Sequence, residues 1–258
     1  MASPALHLLV PAPRPVPVDD AEAVLAGLYA HEPAVLRANM VSAVDGAAWG
    51  ATHRSADIND DADFRVFRVL RALADVVLVG AGTARAERYD QVARPEDLTH
   101  LAPSDAPLRL AIVTRAGVLP PSALDGDLPP LVITGAAGAD VARTAVPAEN
   151  LLVHGEETPD VARALDALAR RGLTRVLAEG GPHLLGSLLA AGLLDELCLT
   201  TTPLLEGPLP GRIVAGGEAP GESLAGQRAA RLAHLLHDPE AGTLLARWTL
   251  ERPGTDGA

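Results

Sequence analysis

The turn at residues 178–183, with the sequence AEGGPH, joins an apolar run to a helix-like run. A turn from a strand into a helix leaves the first helical N–H groups without intrahelical acceptors, and the helix dipole adds positive charge there. Gly180 and Gly181 carry no Cβ atoms that would hold a ligand away, and Pro182 suits a first helical turn because it needs no acceptor. We predict that this turn binds an anionic group, most often a phosphate.

A second glycine-containing turn lies upstream. Residues 80–83 (GAGT) directly follow the apolar strand predicted at residues 76–79. Either turn alone is equally well explained as an ordinary connection between a strand and a helix. Two such turns in one chain favour a dinucleotide cleft over a single phosphate pocket, so the sequence predicts a cofactor site.

Composition and charge exclude several classes of protein. The net charge of -12 argues against nucleic acid or an anionic membrane as partner, because both require a basic surface. The chain contains no lysine, which excludes a pyridoxal phosphate Schiff base and the lysine of a P-loop. Its one cysteine, Cys198, excludes an internal disulfide bond and thiolate metal clusters. We see neither a membrane-spanning segment nor an export signal, and therefore expect a cytoplasmic protein.

The order of the predicted elements indicates an α/β fold. We interpret residues 21–252 as a single domain, residues 1–20 as a proline-rich extended arm and residues 253–258 as a disordered tail. Helices are expected from the acidic segment 59–63, over 160–171 and over 181–191. They alternate with strands at residues 35–41, 76–79, 108–114, 131–134, 150–154, 175–178 and 197–201. This order implies a mainly parallel sheet flanked by helices, with a C-terminal antiparallel hairpin at 231–237 and 243–250.

Three blocks of sequence resemble one family. They are residues 39–46 (NMVSAVDG), residues 70–83 (LRALADVVLVGAGT) and residues 179–197, which begin with EGGP. In these blocks the chain is similar to the reductase domain of riboflavin biosynthesis, which shares the dihydrofolate reductase fold and is often fused to a pyrimidine deaminase. The resemblance implies a homodimer that uses NADPH to reduce a pyrimidine ribosylamine 5′-phosphate, with hydride transfer to the C1′ imine of the ribose. The zinc-binding motifs of the deaminase do not occur in the sequence.

The resemblance and the two turns assign residues to the cofactor. Thr114 and Arg115 follow a strand, and a hydroxyl beside a guanidinium suits the 2′-phosphate of NADPH. A solvated loop start is the alternative interpretation of this pair. The full set expected to contact NADPH is Val41, Gly80, Gly82, Thr83, Thr114, Arg115, Gly180, Gly181, Pro182, His183, Leu184 and Leu185.

The resemblance also assigns residues to the heterocyclic substrate. Arg71 is the first candidate to bind the substrate phosphate by bidentate hydrogen bonds. Its alternative role is to cap the helix that precedes Val76. Glu87 and Asp45 are the predicted catalytic acids, for orientation or proton relay, although Asp45-Gly46 is also a common turn sequence. The full set of substrate contacts is expected to be Asn39, Ser55, Arg71, Arg94 and Glu179.

One segment departs from the family pattern. After Gly-x-Gly-Thr the family usually continues Arg-Ala-Asp-Asp-Pro, whereas this chain has Glu87, Arg88 and Tyr89 at the last three positions. The departure leaves two alternatives open: an NADPH-dependent reductase of another heterocycle, such as a pteridine or dihydrofolate, and a non-catalytic NADP-binding protein.

Two remaining patterns are given structural explanations. His234 and His237 lie three apart on a predicted strand and so point to opposite faces, and we expect no metal site. The acidic run 57–63 is interpreted as a solvated face, and Phe64, Phe67, Leu70 and Leu73 follow it at helical spacing as the expected core face of the helix.

Overall fold

The computed structural model describes residues 3–208, 210–216 and 228–251. The predicted tail at 253–258 lies outside the described residues. The helices are α1 (Ala23–Leu28), α2 (Asp61–Ala72), α3 (Ala81–Ala86), α4 (Ala136–Arg143), α5 (Val161–Ala169) and α6 (Pro182–Ala190). The strands are β1 (Leu6–Val10), β2 (Arg14–Val16), β3 (Leu36–Ala43), β4 (Val76–Gly80), β5 (Arg109–Val113), β6 (Leu131–Thr134), β7 (Leu151–Val153), β8 (Val176–Ala178), β9 (Glu196–Thr202), β10 (Ala230–His237) and β11 (Leu244–Leu250).

The strands form one 11-stranded sheet in the order β2-β1-β10-β11-β9-β3-β8-β4-β5-β6-β7. Every pair from β9 to β7 in this order is parallel, and every pair from β2 to β9 is antiparallel. Helices cover both faces, with α2 packed in one apolar cluster and α5 and α6 in the other. The predicted mainly parallel sheet and the C-terminal antiparallel hairpin are both confirmed.

The proline-rich segment 1–20 differs from the predicted arm. Its residues 6–16 include β1 and β2, which extend the sheet at one edge, and Leu6, Leu8 and Val16 are buried in the core. Arg65 of α2 fixes the flanks of this segment by donating hydrogen bonds to the carbonyl groups of Pro4 and Pro17, each at 2.7 Å. Prolines are tolerated here because an edge strand has unpaired N–H positions. The segment is therefore part of the sheet.

A buried ion cluster ties the two halves of the sheet together. Arg37 of β3 is fully buried and pairs with Glu196 of β9 at 2.6 Å, and Arg247 of β11 pairs with the other oxygen of Glu196. Although burial alone would raise the pKa of Glu196, the two guanidinium groups hold it below its usual range. Cys198 is buried near these charges, and burial raises the pKa of its thiol to about 11.

The cluster predicts a large effect of a small substitution. Glu196→Gln leaves the buried guanidinium of Arg37 and the half-buried guanidinium of Arg247 without their shared carboxylate, so it should lower the free energy of unfolding by about 3–5 kcal/mol. Denaturant unfolding measures this, with Asp140→Asn as control, since Asp140 forms only an exposed pair with Arg143 on α4. Equal stability of the two variants would contradict the structural role of the cluster.

Candidate active site

A cavity of about 630 Å³ opens at the carboxyl ends of β3, β4 and β8. In open α/β sheets ligands bind outside the carboxyl ends of the strands, and this volume is typical of a small-molecule site. The predicted site residues that line it are Asn39, Val41, Ser55, Arg71, Gly82, Thr83, Glu87, Glu179, Gly181 and Pro182. About half of the site residues predicted from the sequence therefore lie together in one cavity.

Aromatic rings are concentrated in this cavity. The chain has two tryptophans, two tyrosines and two phenylalanines, and four of these six residues line the cavity. They are Trp49, Phe64, Phe67 and Tyr89. Aromatic faces stack on flat rings, so the walls suit a heterocycle or a nicotinamide.

The two predicted glycine turns pack directly against each other. The N–H of Gly80 donates to the carbonyl of Gly180 at 2.9 Å. A Cβ atom on Gly181 would lie 2.1 Å from Oγ1 of Thr83, and one on Gly180, which has φ of 85°, would lie 3.1 Å from the sulfur of Met40. Both glycines are therefore required by the packing of the protein itself, in addition to any ligand.

The start of α6 presents unpaired donors. The helix begins at Pro182 with no side-chain cap and no acidic residue in its first turn, and its first backbone bond runs from Leu185 to Gly181. The N–H groups of His183 and Leu184 come before that bond and have no intrahelical acceptor. The side chains of Leu184 and Leu185 are buried in the core, so only their backbone can contact a ligand, whereas His183 is exposed.

A charged cluster forms one wall. Arg71 of α2 donates from Nε and Nη2 to the two carboxylate oxygens of Glu179, each at 2.7 Å, and the phenol of Tyr89 donates to the same carboxylate at 2.6 Å. The guanidinium of Arg71 also lies 4.2 Å from the ring centroid of Phe67. Burial alone would lower the pKa of Arg71, but the ion pair with Glu179 raises it. Tyr89, at the position where the family usually has proline, thus fixes a predicted substrate residue.

Glu87 joins two segments that line the cavity. Its Oε1 accepts a hydrogen bond from the N–H of Ser55 at 2.7 Å, and both residues line the cavity. Nearby, Nε of Arg54 donates to the carbonyl of Ala86 at 3.0 Å. These contacts attach the loop after β3 to the end of α3.

The structure places Asp45 and Arg94 outside the cavity lining. The carboxylate of Asp45 accepts from the N–H groups of Glu206 and Gly207, and these bonds lower its pKa. This geometry corresponds to the turn role given as the alternative for Asp45. Arg94 donates to the carbonyl groups of Ala72 and Ala74, so it caps the end of α2, the role considered for Arg71. Both predicted roles are corrected, because each side chain is already hydrogen-bonded to backbone groups of the protein.

Other predicted cofactor residues also lie off the cavity lining. Thr114 is buried, and its hydroxyl faces the carbonyl of Val118 at 3.4 Å, whereas Arg115 is exposed. The Thr114 hydroxyl and the Arg115 guanidinium therefore do not face solvent together, and only Arg115 is accessible to a phosphate. The remaining residues off the lining are Gly80, Gly180, His183, Leu184 and Leu185, which belong to the packed turns described above.

Asp63 is a cavity residue that the sequence did not predict, and the two phenylalanines of α2 do not face the core as expected. Asp63 is buried and lines the cavity, contrary to the expected solvated face. It lies three and seven residues before Val66 and Leu70, which are both buried, so it shares the core-facing side of α2. Phe64 is 54% exposed, because the face that carries the two phenylalanines is turned to the cavity rather than to the core.

Residues 3–208, 210–216 and 228–251 contain neither a membrane-spanning helix nor a metal-binding cluster. No helix there is both long and apolar enough to cross a membrane. Within the same ranges, no group of three His, Cys, Asp or Glu side chains is placed to hold a metal ion. His234 is instead buried, with its ring edge-on to Tyr29 at a centroid distance of 4.6 Å.

Comparison with known proteins gives a consistent family. The family model described as RibD C-terminal domain matches residues 34–240. A 2,5-diamino-6-ribosylamino-4(3H)-pyrimidinone 5′-phosphate reductase from Archaeoglobus fulgidus is 27% identical over 187 residues, covering 70% of this chain and 85% of that protein. A reductase of the same name from Methanothermobacter thermautotrophicus is 29% identical, covering 70% and 82%. The crystal structure of a pyrimidine reductase-like protein from Corynebacterium diphtheriae has a TM-score of 0.73 at 25% identity, covering 91% of this chain and 100% of that one.

The packed glycine turns predict the effect of one methyl group. Gly181→Ala forces Thr83 to move, and we expect a loss of about 1–3 kcal/mol in the free energy of unfolding together with weaker binding of a nicotinamide cofactor. Adding Thr83→Ala should restore most of the stability. Gly27→Ala is the control, because Gly27 lies on α1 outside the cavity lining and nothing lies within 4 Å of its Cβ position. If Gly181→Ala matches the wild type in thermal unfolding and in cofactor titration, the contact does not organise the site.

Proposed function

This chain belongs to the RibD C-terminal domain family, and on that premise we propose that it reduces a pyrimidine ribosylamine 5′-phosphate with NADPH. It is an oxidoreductase of riboflavin biosynthesis, like the named reductases that it resembles. The observation that carries the proposal is the single cavity in which the two glycine turns meet four of the six aromatic side chains. The homodimer implied by the resemblance and the cytoplasmic location expected from the sequence are part of the same proposal.

The start of α6 and the segment around Gly82 form the cofactor half of the cavity, and their residues fit a dinucleotide. The start of α6 lacks both a side-chain cap and an acidic residue, so its free N–H groups suit a pyrophosphate. The space beside Gly82 is open, which allows a ligand to approach the backbone of α3. We assign the pyrophosphate to the N–H groups of His183 and Leu184, and the neighbouring contacts to Val41 and Thr83. When bound, NADPH supplies the hydride.

The substrate half of the cavity contains Arg71, Arg88 and Glu179. Its guanidinium groups are not placed as the sequence predicted. The guanidinium of Arg71 already forms a bidentate pair with Glu179, so its fork is not available for a phosphate. Arg88 lines the cavity, is exposed and has a left-handed backbone, with φ of 56°, directly after α3. We assign the substrate phosphate to Arg88, and the sugar or base to the polar wall of Glu179 and Tyr89.

The main task of the protein in this reaction is to position the substrate against the hydride donor. The sugar ring opens to an imine, and a hydride must reach C1′ while water is excluded. The aromatic walls hold a flat heterocycle against the cofactor half, and Glu87 holds Ser55 at the cavity. We retain Glu87 as an orienting carboxylate and assign no chemical step to Asp45, whose oxygens are occupied by backbone N–H groups.

Turnover assays separate the three candidate functions. Wild-type protein and NADPH are incubated with a ribosylaminopyrimidine 5′-phosphate, with dihydrofolate, or with neither, and NADPH consumption is followed by absorbance. We expect turnover with the pyrimidine alone. Turnover only with dihydrofolate would support a pteridine reductase, and binding of NADPH without turnover would support a non-catalytic protein. Either result would contradict the proposal.

The preference for NADPH over NADH is tested at Arg115. A charge-assisted bond to the 2′-phosphate is worth about 1.5–3 kcal/mol, so Arg115→Ala should weaken NADPH binding roughly ten- to hundred-fold and leave NADH binding unchanged. Arg14→Ala is a matched control, because Arg14 is also exposed but lies on β2, at the far edge of the sheet from β5. Equal weakening of both cofactors would show that Arg115 has a structural role.

The polar wall is tested at Tyr89. Tyr89→Phe removes the hydrogen bond to the buried carboxylate of Glu179 and keeps the ring, so the substrate KM should rise about tenfold while the dissociation constant of NADPH stays constant. Steady-state kinetics and direct cofactor titration measure the two quantities. A rise in the NADPH dissociation constant with an unchanged substrate KM would place Tyr89 on the cofactor side.

A further inference from the structure

Asp63 is a buried carboxyl group in the lining of the cavity, and the N-terminal cap of α2 does not depend on it. It is 7% exposed, and the hydroxyl of Thr200 on β9 donates to its Oδ1 at 2.6 Å. Its neighbour Asp60 already caps α2, by accepting from the N–H of Asp63 at 3.0 Å. Asp63 is therefore free to serve the cavity.

We propose that Asp63 is the proton donor of the reduction, an inference that rests on the proposed function. It lines the same cavity as Asn39 of β3 and the phenylalanines of α2. Thr200 fixes one carboxyl oxygen, and no described residue forms a hydrogen bond with the other. This leaves that oxygen to face a ligand.

The reaction requires one proton in addition to the hydride. As the bond between C1′ and the ring oxygen breaks, its electron pair leaves with the oxygen, and that oxygen takes the proton of the carboxyl group. The lone pair of the attached nitrogen forms the iminium. The hydride then forms the new C–H bond at C1′, NADPH becomes NADP⁺, and Asp63 regains a proton from solvent. The substrate is thereby reduced by two electrons, and one proton is consumed.

The surroundings of Asp63 favour its protonated form. Burial raises the pKa of Asp63 to about 6, Thr200 opposes this and the charge of Asp60 adds to it. Glu179 already accepts hydrogen bonds from a guanidinium and a phenol, and Glu87 accepts one from a backbone N–H. The other titratable groups that line the cavity are His53, Arg71, Arg88, Tyr89 and Asp90.

Asp63→Asn tests the proposal, with Asp61→Asn as matched control. Asp61 lies in the same first turn of α2 but is exposed. For the wild type, kcat should fall as pH rises above about 6, because a general acid is active only when protonated. Asp63→Asn should lose roughly 10²–10⁴ in kcat and lose this pH dependence, with NADPH affinity retained. Asp61→Asn should behave as the wild type.

Stability supplies a readout that does not depend on activity. The folded pKa of Asp63 is raised, so its contribution to stability is present below its ordinary pKa of 3.8 and is lost as pH rises through about 6. Asp63→Asn should therefore unfold at an equal or higher temperature than the wild type at pH 7 and lack this pH dependence.

The outcomes are distinguishable. A variant that keeps the wild-type kcat and pH profile would overturn the role of Asp63 and leave the proposed function intact. A variant that loses NADPH binding or melts well below the wild type would show a structural carboxylate and also overturn it. Absence of wild-type turnover with the pyrimidine would overturn the proposed function and, with it, this inference.

Discussion

The close approach of two backbone turns is the constraint on which the site depends. The turn after β8 and the turn after β4 meet with a hydrogen bond between Gly180 and Gly80, and a side chain on Gly181 would collide with Thr83. Because β3, β8 and β4 are neighbours in a parallel sheet, this contact brings the carboxyl ends of all three to one place. The start of α6 then lies beside α3, and the cavity forms between them and α2.

Helix α2 carries the opposite wall and is fixed from several directions. Its N-terminal cap Asp60 accepts a hydrogen bond from Thr243, next to β11, and Asp63 accepts one from Thr200 on β9. Two turns later Arg71 binds Glu179 at the end of β8. The helix therefore bridges the antiparallel and parallel halves of the sheet, and its cavity face is held without apolar packing.

The parts of the fold that local sequence determines were predictable. Both glycine turns and the mainly parallel sheet follow from apolar runs and turn residues, and both are found as expected. Helices α3 and α4 were missed because their alanine- and glycine-rich sequences lack an apolar stripe. Arg94 and Asp45 were misassigned because their partners are backbone groups brought close only by tertiary folding. Asp63 was recognisable only from its position on the buried side of α2, a signal that the surrounding acidic residues obscured.

The central claim is that a hydride passes from NADPH to C1′ of a pyrimidine ribosylamine phosphate in this cavity. The most direct test uses NADPH with deuterium at both C4 positions, followed by mass spectrometry of the pyrimidine product. The account predicts a ribityl product that carries a single deuterium at C1′. A product without deuterium, or label at any ring position of the heterocycle, would contradict it.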